Sequence, residues 1–379
     1  MFEYFPGNYV WNLAVVATLN SGGYIDEVDR ACRPVRDLAL QGADAGTDQL
    51  YAAWSAVADG LIASAEEDVK RGRLIGAGDK FRRASLYVSQ SERLQAPNWP
   101  GRKAAYRHSI DLLKRAAELG GANIIPVEVP YEGGSLPAYF VPAPGEGPKP
   151  CVIQWNGLDS TKEMMFYSGF GDENAARGVS TLMVDTPGSG EALRLRDLRA
   201  RPDTEVWAAA CVDYLESRDD VDHDRIGLVG WSLGGYYAPR AAAYEKRIKL
   251  VVAWGANHDW GEVQHGRLRR EGENPVPHYW EHVYWVWGAQ GRESFFAIAD
   301  RVTLEGVIDK ITVPFLVTHG VNDRQISVNY AHKSYEGAIN SPKRELRLFT
   351  PEEGGAEHIG IDNLRVVGAY VADWIAETI

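Results

Sequence analysis

The stretch RIGLVGWSLGGYYAPRAAAYE, residues 225–245, decides the fold. Its first part is a short apolar run of strand type, and from Leu233 onward small and apolar residues recur at helical spacing. Between strand and helix lies G-W-S-L-G, Gly230 to Gly234, followed by Gly235. Small residues at 230 and 234 let the two backbones approach closely. Ser232, on the turn, is thereby held out above the sheet at the start of a helix whose dipole favours negative charge. The string G-x-S-x-G alone is a weak signal; the strand before it and the helix after it make it informative.

Working outward, similar apolar runs recur on both sides. They are CVIQWNG (151–157), STLMVDTPG (180–188), LVVAWGAN (250–257), PFLVTHG (314–320) and ELRLFTPE (345–352). Helical windows at 161–177, 203–217, 233–245, 328–338 and 360–377 separate them. Runs apolar on both faces and alternating with helices predict a mostly parallel sheet covered on each side, an α/β architecture. NIIPVEVPYE and SLPAYFVPAP add two strands joined at Gly133-Gly134. Before residue 123 no strand is expected. Apolar positions recur three and four apart in 47–69 and 101–119, with a further helical stretch between them, and Gly120-Gly121 ends the second. The expected organisation is an all-helical N-terminal domain, 1–122, and a catalytic domain, 123–379. Residues 258–303 are too long for a connection. They are rich in aromatics, from Tyr279 to Phe296, and form either a helical excursion or a lid lining a pocket for a flat ring, with Trp260 and Trp285 as candidate walls.

A serine hydroxyl needs a base to take its proton. In a sheet of this kind the partners follow in the order serine, acid, histidine, at the ends of later strands. Asp323 falls just past the strand PFLVTHG, and His358 lies in the glycine-rich loop after the last strand. The negative charge that develops on attack needs preorganised N–H donors. The backbone of Leu233 supplies one, and the turn QWNGLDSTKE supplies the other at Leu158. Ser160 and Glu163 have the spacing of a capping box for the next helix. His319 lies inside a strand end and is expected to bond locally. His108, His223 and His332 read as surface residues. His278 and His282 have a possible metal spacing, but no third ligand is placed. The arginine-rich stretches 193–202 and 266–273 could bind an acidic substrate group, but the favoured reading is a solvated surface. No nucleotide, flavin or metal motif stands out, so neither cofactor nor metal is expected; D-T-P-G-S-G-E lacks the lysine of a phosphate loop.

These motifs resemble one branch of the α/β-hydrolases. The resemblance rests on G-L-D-S-T-K-E (157–163), D-T-P-G-S-G-E (185–191), G-W-S-L-G-G (230–235), H-G-x-x-D (319–323) and G-G-A-E-H (354–358). That branch is typified by 2,6-dihydroxypseudooxynicotine hydrolase and includes fungal hydrolases that shorten aromatic polyketides. The resemblance covers most of the chain and includes an N-terminal helical domain. It implies the α/β-hydrolase fold with a helical lid insertion, and hydrolysis of a carbon–carbon bond beside a ketone in an aromatic or polyketide-like molecule. The leaving group of such a reaction is a carbanion that must be delocalised and protonated as it departs. The resemblance also implies an additional carboxylate near the serine, for which Glu262 is the candidate and Asp259 its competitor. It further points to a homodimer. Esterase-like members leave carboxylesterase, lactonase, thioesterase and acyltransferase as alternatives; a non-catalytic protein on the same scaffold is a remote one.

Composition bounds the rest. With 379 residues, two domains are expected. Hydrophobic residues make up 45% and charged residues 24%, as in folded soluble proteins. A net charge of −12 disfavours nucleic-acid or anionic-membrane partners, which require a basic face. Three widely spaced cysteines offer no disulfide framework and fit a reducing compartment. The N-terminal run Trp11 to Leu19 is short, follows no basic region, and reads as a buried helix rather than a signal peptide. A cytoplasmic location is the expectation.

Overall fold

The computed structural model describes residues 1–379, which fall into two compact units. The first comprises residues 1–124 together with 274–282, and the second 125–273 together with 283–379.

The first unit is helical. Its main helices are Tyr9–Asn20, Ile25–Cys32, Thr47–Lys70, Leu74–Arg93 and Arg102–Glu118. In the third, Leu50, Trp54, Val57, Leu61 and Ala65 are buried, the one-face spacing read from the sequence. The Tyr9–Asn20 helix is buried along most of its length and starts where the Asn8 side chain accepts from the Trp11 amide. The Arg102–Glu118 helix ends at Gly120, whose φ of +81° only glycine adopts easily, while the Gly121 amide bonds back to the Ala116 carbonyl at 2.7 Å.

The second unit is built on eight strands: β1 Ile125–Tyr131, β2 Gly134–Val141, β3 Lys149–Trp155, β4 Ser180–Val184, β5 Val221–Trp231, β6 Leu250–Trp254, β7 Phe315–Gly320 and β8 Arg344–Phe349. They lie in the order β1-β2-β4-β3-β5-β6-β7-β8. β1 and β2 form an antiparallel hairpin, β2 runs antiparallel to β4, and the rest are parallel. The hairpin turn is Glu132-Gly133, one residue earlier than the sequence predicts. Both have positive φ, the primed turn whose twist matches the strands, and Gly134 already pairs with Tyr131. All residues of β4, β6 and β7, and nearly all of β3, are buried, because helices cover both faces.

The chain leaves β3 for β4 on one side, then returns to β5 on the other. Strand order therefore reverses between β3 and β5, which opens a crevice at their carboxyl ends. The predicted helix 161–177 is two helices, Lys162–Tyr167 and Phe170–Ala176, broken at Gly169 with φ +76°. Thr161, not Ser160, caps the first through the Met164 amide, so the expected Ser160–Glu163 box does not form. The 258–303 insertion contains the helices Trp260–Leu268, Tyr279–Trp287 and Arg292–Ala299.

Candidate active site

Ser232 follows the last residue of β5 with φ +59° and precedes the helix Gly234–Tyr244. The strained angle persists because the surroundings over-determine it. The Ser232 amide bonds to the Trp254 carbonyl of β6 at 2.9 Å. A Cβ on Gly230 would lie 2.1 Å from the Gly234 carbonyl oxygen, so the glycines of the motif are steric requirements.

The three residues expected to act together meet, although 126 positions separate the first from the last. Ser232 Oγ lies 2.8 Å from His358 Nε2, and His358 Nδ1 lies 2.8 Å from Asp323 Oδ2. An ionised carboxylate can only accept, so Nδ1 carries the proton and Nε2 is left to accept from the serine hydroxyl. The Asp323 side chain is fully enclosed. Burial pushes its pKa up, but the facing His358 imidazole, His319 and the Ile326 amide outweigh that and hold it below the ordinary carboxylate range. Asp323 Oδ1 accepts from the amides of Gln325 at 2.8 Å and Ile326 at 3.0 Å.

The histidine loop is pinned as firmly. The Asp362 carboxylate accepts from the amides of Gly355, Ala356 and Glu357 at 2.9, 3.1 and 2.9 Å. Trp254 Nε1 donates to the Ile359 carbonyl at 2.7 Å. Gly320 at the end of β7 passes against this loop; a Cβ there would sit 2.2 Å from the Ala356 carbonyl. His319 is buried and bonds locally, as expected, with Nε2 3.0 Å from the Ile326 carbonyl and 3.5 Å from Asp323 Oδ2. Burial depresses its pKa and keeps the ring neutral near pH 7.

The turn after β3 lies against the nucleophile. A Cβ on Gly157 would be 2.7 Å from Ser232 Cβ and 3.1 Å from its Oγ. The amides of Leu158 and Leu233 have no acceptor within the protein, so both remain available to a developing oxyanion.

The other expected residues are placed as follows. The Glu262 side chain is 56% exposed and pairs with Lys333 at 3.8 Å. Asp259 is occupied as a helix cap, accepting from the Glu262 amide at 2.8 Å and from Thr303 Oγ1 at 2.9 Å. Trp260 is 3% exposed and packs against Trp287 and Phe295 at 5.1 and 5.6 Å between ring centroids. Trp285 carries the Arg194 guanidinium 5.9 Å over its ring, and its carbonyl accepts from Arg199. His278 immediately precedes the Tyr279–Trp287 helix with φ +51°, and its carbonyl accepts from the His282 amide at 3.0 Å. Cys32, Cys151 and Cys211 are buried free thiols. No helix is long and apolar enough to cross a membrane.

A sheet of this order, with helices on both faces and a strand-to-helix serine turn at its reversal point, defines the α/β-hydrolases, and the protein is an enzyme of that class. The sequence model of the family described as Esterase FrsA-like matches residues 101–261. The hydrolase phmG of Phaeosphaeria nodorum is 31% identical over 97% of this chain and 94% of its own length. The 2,6-dihydropseudooxynicotine hydrolase of Paenarthrobacter nicotinovorans is 27% identical over 86% of this chain and 83% of its own. The crystal structure of the 2,6-dihydroxy-pseudo-oxynicotine hydrolase superposes with a TM-score of 0.77, covering 96% of this chain and 95% of that one at 24% identity. The chain belongs to this family of hydrolases, related both to the pseudooxynicotine and fungal enzymes and to esterases.

Proposed function

We propose that the protein is a serine hydrolase that cleaves a carbon–carbon bond beside a ketone in an aromatic or polyketide-like small molecule. Ser232 Oγ attacks the ketone carbon as His358 Nε2 takes the hydroxyl proton, and Asp323 stabilises the imidazolium that forms. The amides of Leu158 and Leu233 receive the oxyanion. Collapse expels the carbanion, which His358 protonates, and leaves an acyl-enzyme on Ser232. Water, deprotonated by the same imidazole, then releases the acid. The continuous chain from hydroxyl to imidazole to carboxylate, 2.8 Å at each link, carries the reading. The relatives named for pseudooxynicotine support the substrate class. The assembled state in this reading is a homodimer, which light scattering of the purified protein tests.

A specific observation favours a second reading, an esterase with the same nucleophile. The matched family is described as Esterase FrsA-like, and Glu262 is exposed and pairs with Lys333. Without a carboxylate to assist, protonation of a poor carbanion leaving group falls to His358 alone, whereas an alkoxide leaving group requires no more than that. Incubation with an aryl 1,3-diketone and, separately, with a short nitrophenyl ester decides between them. Cleavage of the diketone into a ketone and an acid, abolished by Ser232→Ala, upholds the first. Ester hydrolysis with the diketone untouched establishes the second. Turnover of either at the normal rate by Ser232→Ala removes both.

A further inference from the structure

Two motif strings, G-L-D-S-T-K-E and D-T-P-G-S-G-E, contain neither Ser232 nor Asp323 nor His358, yet their side chains meet in one hydrogen-bonded network. The Ser160 hydroxyl oxygen accepts from the Gly157 amide at 2.9 Å and from the indole of Trp231 at 3.1 Å. Trp231 immediately precedes Ser232, so one hydroxyl ties the elbow strand to the turn that carries Leu158. The Asn156 side chain closes the turn from inside: its Nδ2 donates to the Ser160 carbonyl at 3.1 Å and to Asp185 Oδ1 at 2.9 Å. Asp185, at the end of β4 and fully buried, also takes the Lys162 amide on Oδ1 at 2.6 Å. Its Oδ2 takes the Glu191 amide at 2.7 Å and faces Lys162 Nζ at 3.3 Å.

Lys162 is in turn clamped. Its Nζ lies 2.8 Å from both Glu163 Oε1 and Glu191 Oε2, and Tyr139 donates to that same Glu163 oxygen at 2.9 Å. Gly190 has φ +44°, and a Cβ there would overlap the Asp185 carboxylate at 2.0 Å. A buried, hydrogen-bonded ionic cluster of this kind is a costly way to gain stability. It does fix geometry, because its donors are hydrogen-bonded to one another's acceptors out of reach of water.

From this we infer that Ser160 and Asp185 are positioning residues for the oxyanion turn, holding the Leu158 amide at a set distance from Ser232 Oγ through the chain Trp231–Ser160–Asn156–Asp185. The inference rests on the proposed roles of Ser232 and Leu158. Ser160→Ala removes the acceptor shared by Gly157 and Trp231. Asp185→Asn sets an amide N–H₂ against groups that are themselves donors. Trp231→Phe removes a single donor.

The test measures nitrophenyl butyrate hydrolysis and the rate at which a fluorophosphonate probe labels Ser232, because both form a tetrahedral centre with a developing oxyanion. For Ser160→Ala and Asp185→Asn, kcat and labelling rate are expected to fall together by about 10- to 100-fold, as for a small displacement of catalytic groups. KM should stay within about threefold, the circular dichroism spectrum and the pH profile should be unchanged, and Ser160→Thr should restore the rate. Folded variants with wild-type kcat and labelling overturn the inference, as does a raised KM at unchanged kcat. If Asp185→Asn does not fold, Ser160→Ala and Trp231→Phe decide alone. Persistent turnover by Ser232→Ala defeats the functional reading itself, and is distinguishable because it leaves these variants no common nucleophile.

Discussion

At Ser232 the backbone stands at φ +59°, the Trp254 carbonyl holds its amide, and Gly157 presses on its side chain. This crowding makes the site sensitive to single atoms. Gly157→Ala places a methyl 2.7 Å from Ser232 Cβ. We expect kcat to fall about 100-fold, against a stability loss of about 1–3 kcal/mol, measured by steady-state kinetics and urea unfolding of the same preparation. Asp323→Asn keeps the shape but favours the wrong imidazole tautomer, and should lower kcat about 10⁴-fold with KM little changed. The meeting of Ser232, Asp323 and His358 is legible because each lies in the segment that follows a strand, and chain order suggests their roles. A role for Glu262 is not legible in the same way, because position in the sequence does not say which way an exposed first-turn side chain points; it pairs with Lys333. The work of Ser160 and Asp185 was not legible. Both have local spacings with bland readings, and only the fold brings residues 160, 185 and 231 into one network.

At the scale of elements, the sheet was read more easily than its connections. Burial on both faces writes β3, β4, β6, β7 and the second half of β5, from Ile226, as largely apolar runs, which a sequence displays directly. The break at Gly169 depends on one positive φ angle and the turn at Glu132-Gly133 on two, and an ordinary residue such as Glu132 gives no warning of one. In the insertion, aromatic richness signalled burial without telling a pocket wall from a core ring. Trp260 is packed by Trp287 and Phe295. Trp260→Ala is therefore expected to cost about 3–5 kcal/mol in urea unfolding, as for a buried ring. A surface lid residue would cost less than about 0.5 kcal/mol.

For the molecule as a whole, the reversal of strand order between β3 and β5 puts the Leu158 turn and the Ser232 elbow at neighbouring strand ends, and the parallel run through β7 and β8 delivers Asp323 and His358 to the same edge. The buried histidines leave a mark on global stability. Burial depresses the pKa of His319, which faces Asp323, His358 and His332, and that of His258, which faces Glu305, Asp259 and Lys333. Below an unfolded-state pKa of about 6.5 the unfolded chain binds protons that the folded one refuses, so stability falls as pH drops from there toward the folded values and is unaffected above. Urea unfolding should show lower stability at pH 5.5 than at pH 7.5, with a shallower decline in His319→Gln; parallel curves would contradict this origin.

The central claim is that one hydroxyl, served by one imidazole, is the nucleophile. Peptide mass mapping after fluorophosphonate treatment examines it most directly. We predict a single adduct on Ser232, lost in Ser232→Ala and formed at least about 10³-fold more slowly in His358→Ala. Labelling at another residue, or undiminished labelling without the imidazole, would contradict the account.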